Sequence, residues 1–278
     1  MYSFDQKTNT LSLPLPKLYS IHRIFDCGQC FRFDENEDGS VSGVAFGKYL
    51  TLQEKDGKLI IAGITPGEYE KTFRHFLALD ADYKDVENAL LSKRQNDATL
   101  KAALEKGNSI RILRQDGWEA LCSFIISQNN NIPRIKKIIA NMSQKYGTPI
   151  GDGHYAFPTA QALYDAGPDK LFELRTGFRA KYIYDACEKV LEKTVDLSKI
   201  KDMTTEEATA YLMQIKGVGL KVASCALLFG FEKTDAFPVD VHIKHLLAKY
   251  YPDGLDVADL GQYAGIAQQY LFYYERYK

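Results

Sequence analysis

The chain has 278 residues, 45% of them hydrophobic and 12% aromatic, which is ample for a sizeable core and excludes a disordered polymer. No run of roughly 18 apolar residues occurs, which excludes a membrane-spanning helix. The start MYSFDQKTNTLSLPLP lacks the basic-then-apolar pattern of a secretory leader. The net charge of −1 and pI near 6.5 argue mildly against a polyanionic partner, because phosphate neutralisation supplies most non-specific affinity for nucleic acid.

Up to about residue 65 the pattern is short and alternating. Segments 28–33, 41–46, 49–54 and 58–62 are predicted as strands, separated by turn signals at 34–39, 46–48 and 56–57. Asp56–Gly57 between two such runs is a hairpin signal. An antiparallel sheet with one solvated face is expected here.

From about residue 67 the apolar spacing becomes helical. Helices are predicted over 92–104, 118–127, 132–146, 160–166, 180–192, 205–215, 220–229, 239–249 and 261–273. Pro133 falls near the first turn of its helix, where a missing N–H costs little. Thr204 and Glu207 form a capping box. The fold class is α+β, with a soft boundary near residue 113: residues 1–113 form an N-terminal antiparallel sheet domain with flanking helices, and residues 114–278 a predominantly helical domain.

Basic residues cluster at Arg134, Lys136, Lys137 and Lys145, at Arg175, Arg179 and Lys181, and at Lys216, Lys221, His242, Lys244 and His245. Any one cluster alone reads as a solvated helix face. Cysteines stand at Cys27, Cys30, Cys122, Cys187 and Cys225. They are scattered and odd in number, which suggests a reducing compartment. Cys27–Gly28–Gln29–Cys30 lacks the strand-to-helix context of a redox motif. It also lacks the second pair that a structural metal site needs.

The most informative segment is TTEEATAYLMQIKGVGLKVASCALLFG, residues 204–230, which reads as helix, tight turn, helix. Gly217 and Gly219 flank Val218 in the turn, where glycine permits positive φ and close backbone approach. The free N–H groups and dipole at the start of the second helix suit a phosphate. Lys221 lies in that helix's first turn. A cation is unfavourable there, so the amine's pKa should fall, and burial would lower it further. A neutral amine is a nucleophile able to form a Schiff base; the commoner fate of a lysine is an exposed, snorkelling side chain. In FPVDVHIKH, residues 237–245, Asp240 is a predicted helix N-cap, or else a carboxylate that stabilises a developing cation.

The run KGVGLKVASC followed by PVDVH resembles the helix-hairpin-helix glycosylase superfamily, with its Gly-Val-Gly hairpin, catalytic Lys and downstream Asp. More narrowly, the chain is similar to the 8-oxoguanine-DNA glycosylases of the eukaryotic type. CGQCFRF (27–33) is similar to that family's Gly-Gln-Ser-Phe-Arg segment, with Cys30 for Ser. SQNNNIPRI (127–135), TGFRAKYI (176–183) and YAGIAQQYLF (263–272) resemble its loop, its Gly-Tyr-Arg-Ala segment and its C-terminal helix, so the resemblance covers nearly the whole chain.

The resemblance implies a bifunctional enzyme that flips 8-oxoguanine out of duplex DNA, excises it and cleaves the strand. Lys221 would be the nucleophile and Asp240 would stabilise the transition state. The Gly28 carbonyl would accept the N–H that distinguishes 8-oxoguanine from guanine. Cys225 and Phe272 would sandwich the base, and Gln268 would bond its pairing edge. Asn129 would fill the vacated stack, Arg134 and Arg179 would contact the orphaned cytosine, and His242 would hold a phosphate. Such extrusion costs a few kcal/mol, part of which stacking on Phe272 recovers, about 1–3 kcal/mol.

Three departures stand out: Phe178 where Tyr is common in the wedge, Ile266 where Trp is common, and Lys216 where Pro is common. Loss of the hydroxyl at Phe178 is expected to loosen opposite-base discrimination. Many superfamily members carry an iron–sulfur cluster near the C-terminus, which requires four cysteines; no Cys follows Cys225, so neither metal nor cofactor is expected. The expected partner is duplex DNA containing 8-oxoguanine, with no membrane contact. A monomer in the cytoplasm, nucleoid-associated if bacterial, is expected. The rivals are a glycosylase for another base such as an alkylpurine, a non-catalytic DNA-gripping hairpin module, and a Schiff-base lyase for small metabolites. The last usually sits on a barrel of alternating strands and helices, which this chain lacks.

Overall fold

The alternating N-terminal sequence folds into a six-stranded antiparallel sheet in the order β1-β2-β6-β5-β4-β3. The computed structural model describes residues 2–277. The strands are β1 (Ser3–Asp5), β2 (Thr10–Pro14), β3 (Phe33–Glu35), β4 (Val41–Ala45), β5 (Lys48–Lys55) and β6 (Lys58–Ala62). Asp56 and Gly57 take φ of 50° and 69° and close the β5–β6 hairpin. Both angles are positive, as the tight turn demands. Leu50, Leu52, Leu59 and Ile61 alternate onto one fully buried face, over Ile21, Ile24, Phe73 and Phe76. One solvated face holds for β5 and β6, whereas β4 is buried at every position.

The segment 28–33 is not a strand. Gly28 adopts φ +78°, which no ladder accommodates. The buried Gln29 side chain instead donates to Ile24 O at 2.9 Å and Arg111 O at 2.8 Å, and accepts from Leu113 N at 2.8 Å. These bonds replace strand pairing and hold a loop that sends Cys27 and Phe31 into the helical core. The short strands β1 and β2 were also not anticipated; β2 is fixed by pairing with β6, far along the chain.

The helical body begins before residue 113. Helices Tyr83–Lys93 and Ala98–Gly107 bury Tyr83, Val86, Leu90, Leu100 and Leu104 in the same core as the C-terminal helices, whereas the sheet core closes with Leu77 and Leu113. The change of core therefore does not coincide with the boundary at 113. The predicted helix 92–104 is two helices, broken where Asp97 caps the second through Leu100 N at 2.8 Å.

Two helices position the site. Gly117–Ser127 is buried continuously from Ala120 to Ile126, and Leu220–Gly230 is buried from Val222 to Phe229 except at Ser224. Such helices lie inside a body rather than on it. They meet through Gly230, where a Cβ would stand 2.6 Å from the Ala120 Cβ, and through Phe124 stacked on Phe229 at 5.2 Å. Only the first turn of the second helix, which carries Lys221, reaches outward.

Candidate active site

The hairpin follows from its local sequence. Helix Thr205–Leu212 starts on the predicted capping box, with Thr204 and Glu207 bonding reciprocally. Gly217 turns the chain at φ +79°, and a Cβ there would lie 2.3 Å from the Tyr182 ring. Gly219 is different. Its φ of −99° suits any residue, nothing lies within 4 Å of a Cβ built on it, and it caps Leu220–Gly230 without a side-chain bond. The glycine requirement thus falls on Gly217 alone, and Gly219 leaves the first amides of the helix bare for an anion. Gly217→Ala is expected to destabilise the fold by about 1–3 kcal/mol, read by denaturant unfolding. Gly219→Ala should leave stability within about 0.5 kcal/mol and weaken duplex binding.

Lys221 is half-buried, with Nζ donating to Ser127 Oγ at 3.1 Å and lying 5.4 Å from the centre of the Phe124 ring. A hydroxyl and a ring face hold the amine, and among the described residues no carboxylate pairs with it. Asp240 caps helix Val241–Tyr250, with Oδ1 accepting from Ile243 N at 2.8 Å. The predicted cap is present: one oxygen is held by the helix, and the carboxylate lines the same pocket as Lys221.

That pocket is small and open at one side, with a cavity volume of about 50 Å³, and is lined by Cys27, Gly28, Phe124, Lys221, Cys225, Phe229, Pro238, Asp240, Gln268, Gln269 and Phe272. Every residue the resemblance assigned to base recognition is among them. Burial pushes the Cys225 thiol up to about 11 against the nearby Lys221 charge. It therefore stays a neutral thiol, an apolar wall rather than a rival nucleophile. Gln268 is 4% exposed and its Oε1 has no partner among the described residues. An orphaned buried amide oxygen is costly unless a ligand satisfies it. Gly28 faces Phe272, whose Cε1 would lie 3.5 Å from a Cβ at position 28. His242, exposed, meets the Phe272 ring edge-on at 5.6 Å.

Outside the pocket lies an open groove lined by Ser127–Asn130, Phe178, Gly219, Val239, Val241, His242 and Lys244. Lys221 and Asp240 line both groove and pocket. Asn129 is exposed in the groove in a left-handed conformation, φ 45°, which asparagine tolerates better than most residues. Phe178 is 50% exposed. Arg134 is exposed beside this face and donates to Arg175 O at 3.3 Å.

Arg179, expected at the orphaned cytosine, is turned onto the protein's own backbone. It is 3% exposed, and its guanidinium donates to Gln128 O, Asn129 O and Thr176 O while lying 4.4 Å from the centre of the Phe178 ring. Three of its four hydrogen bonds go to the carbonyls of Gln128 and Asn129, so the guanidinium props the Asn129 loop. Sequence reasoning missed Ser127, Phe124 and Gln269. Ser127 opens the SQNNNI run, so its position was visible but its bond to Lys221 was not. Gln269, 3% exposed, donates to Cys27 O at 2.7 Å, a contact that only the tertiary fold creates. Arg276 was missed too; its Nη1 would lie 3.4 Å from a Cβ at Gly28.

A small pocket thus opens beside a wide groove, with Lys221 and Asp240 lining both, and the matches with known proteins name the class. Residues 122–254 match the family model described as HhH-GPD superfamily base excision DNA repair protein, which defines the class: a base-excision glycosylase built round a helix-hairpin-helix. Residues 12–121 match 8-oxoguanine DNA glycosylase, N-terminal domain. The chain belongs to the 8-oxoguanine DNA glycosylase family. It is 37% identical to MBOgg1, solved in complex with a low affinity DNA ligand, with a TM-score of 0.92 and coverage of 99% of this chain and 98% of that one. It is 35% identical, TM-score 0.91, to the Clostridium acetobutylicum 8-oxoguanine glycosylase/lyase solved with duplex DNA containing cytosine opposite 8-oxoG, covering 99% and 97%. The N-glycosylase/DNA lyase of Saccharomyces cerevisiae is 36% identical over 157 residues, which are 51% of this chain but 42% of that protein.

Proposed function

We propose that this protein is a bifunctional DNA glycosylase that excises 8-oxoguanine from duplex DNA and then cleaves the strand. One observation carries the reading: Lys221 and Asp240 stand together where the wide groove meets the small pocket. A nucleotide turned from a duplex in the groove into the pocket passes its sugar between the amine and the carboxylate.

The chemistry follows from that placement. With its base in the pocket, the sugar's anomeric carbon comes to the Lys221 amine. The nitrogen–carbon bond forms as the glycosidic bond breaks, and the base leaves with the electron pair and takes up a proton. Positive charge grows on the sugar, and the fixed Asp240 carboxylate stabilises it. Ring opening gives an imine. Loss of a C2′ proton then expels the 3′ phosphate, which cuts the strand. The bare helix start at Gly219 binds phosphate, and Asn129 fills the gap in the stack. Cys225 and Phe272 hold the base faces, and Gln268 and the Gly28 carbonyl read its edges.

A pocket reading two polar edges disfavours an alkylpurine substrate, because plain or alkylated purines leave those groups unmatched. The protein acts as a monomer in the cytoplasm on this reading. A panel of duplexes containing 8-oxoguanine:C, an alkylpurine or G:C tests it. Excision confined to 8-oxoguanine is the expected result, and preferential release of the alkylpurine would refute it. The half-exposed ring of Phe178 in the groove also makes a testable statement. Phe178→Tyr should sharpen the preference for cytosine over A, G and T opposite the lesion, measured as excision ratios; unchanged ratios would remove the role.

A further inference from the structure

We propose that Gln269 is a positioning residue for lesion recognition, fixing the Gly28 carbonyl at a set distance from Gln268; this rests on the 8-oxoguanine reading above. The pocket's two polar readers come from opposite ends of the chain, the 26–32 loop and helix Ala264–Arg276. Their separation decides which base fits, so something must hold them in register.

Gly28 is gripped on both flanks. Upstream, the Cys27 carbonyl accepts from Gln269 Nε2 at 2.7 Å. Downstream, the Gln29 carbonyl accepts from Gln115 Nε2 at 2.7 Å, and the Gln29 side chain is itself bonded to Ile24, Arg111 and Leu113. The Gly28 carbonyl between them accepts no hydrogen bond from the described residues. Both neighbours are fixed and the centre is left open, an arrangement suited to a ligand donor.

The upstream grip belongs to the reading helix itself. Gln268 and Gln269 are consecutive, about 100° apart round the helix. Gln268 presents an unpartnered amide oxygen, while Gln269, 3% exposed, reaches the loop. One helix therefore carries one reader and the strut that places the other. Removing the donor leaves the buried Cys27 carbonyl unsatisfied and frees the loop to shift. A shift of about 1 Å is enough to spoil a near-attack geometry. It would also erase the contact that separates an N–H from a lone pair. If Gln269 were only a satisfied core amide, its loss would depress every activity alike.

The experiment uses the full chain with Gln269→Met and Gln269→Glu. Two rates are measured: excision from 8-oxoguanine:C, and nicking of a duplex with a preformed abasic site, which needs Lys221 but no base. For Gln269→Met the ratio of excision to abasic nicking should fall by about tenfold or more. In a Lys221→Gln background, the same change should shrink the binding preference for 8-oxoguanine:C over G:C. In Gln269→Glu the carboxylic acid can donate to Cys27 O and the carboxylate cannot. Its excision rate relative to the unsubstituted protein should therefore rise several-fold as pH falls through the acid's titration. That arm still decides the matter should the Met variant fail to fold. An unchanged ratio for Met, an equal loss of both activities, or a flat relative pH profile for Glu overturns the proposal. If the unsubstituted protein nicks abasic DNA but releases no 8-oxoguanine, the functional reading fails first and the proposal with it.

Discussion

Lys221→Gln is expected to lower 8-oxoguanine excision by on the order of 10⁴-fold or more and to abolish imine formation. The substitution is chosen for what it preserves. Glutamine keeps a polar donor on a stem one bond shorter, beside Ser127 Oγ, which is 3.1 Å from the lysine amine, and the Phe124 ring that the amine faces. Stability should change by less than about 1 kcal/mol, since the residue is only half-buried and no ion pair is broken. Duplex affinity should fall by less than about tenfold, because one cation among several contacts is lost. A variant that binds and folds normally but neither excises nor nicks isolates the amine as the nucleophile. Single-turnover excision, duplex titration and thermal unfolding, taken together, check this.

The second large effect is at Asp240, where capping and catalysis can be separated. Asparagine caps a helix about as well as aspartate, whereas alanine loses about 1 kcal/mol. The Ile243 N bond at 2.8 Å should therefore survive in Asp240→Asn and vanish in Asp240→Ala. Both variants lose the carboxylate facing the sugar, and both should lose about 10²–10³-fold in excision. Only alanine should also lose stability. If Asp240→Asn kept full activity, Asp240 would be a cap and nothing more. Abasic nicking should suffer less than base excision in both, since the cationic transition state belongs to the first step.

The pattern of what was legible has a physical cause. Capping boxes, the hairpin glycines and the Asp–Gly turn are local rules written in a few adjacent residues, and the structure obeys them at Thr204, Gly217 and Asp56–Gly57. The segment 28–33 reads as a strand because its pattern is short and alternating. What defeats the alternation is Gln29, whose partners lie far along the chain, and Gln269, 242 residues from Cys27. The helix break at Arg94–Asp97 is likewise invisible to periodicity, since the spacing resumes beyond the cap. The base-pocket residues could be named from resemblance. That resemblance implied a base contact for Arg179, yet here the guanidinium holds the backbone on which Asn129 stands.

The same logic explains a near-neutral chain that handles a polyanion. The bare helix start at Gly219 offers backbone amides, which carry no formal charge, and Lys244 lies along the same groove. Composition averages this away. The placement of a few groups on one face decides the partner.

The most direct test is borohydride reduction during turnover on an 8-oxoguanine:C duplex, followed by peptide mapping of the adduct. The prediction is one covalent protein–DNA species, linked through the Lys221 Nζ and absent with a G:C duplex. An adduct on another lysine or on the chain's N-terminal amine, or full excision with no reducible intermediate, would contradict it.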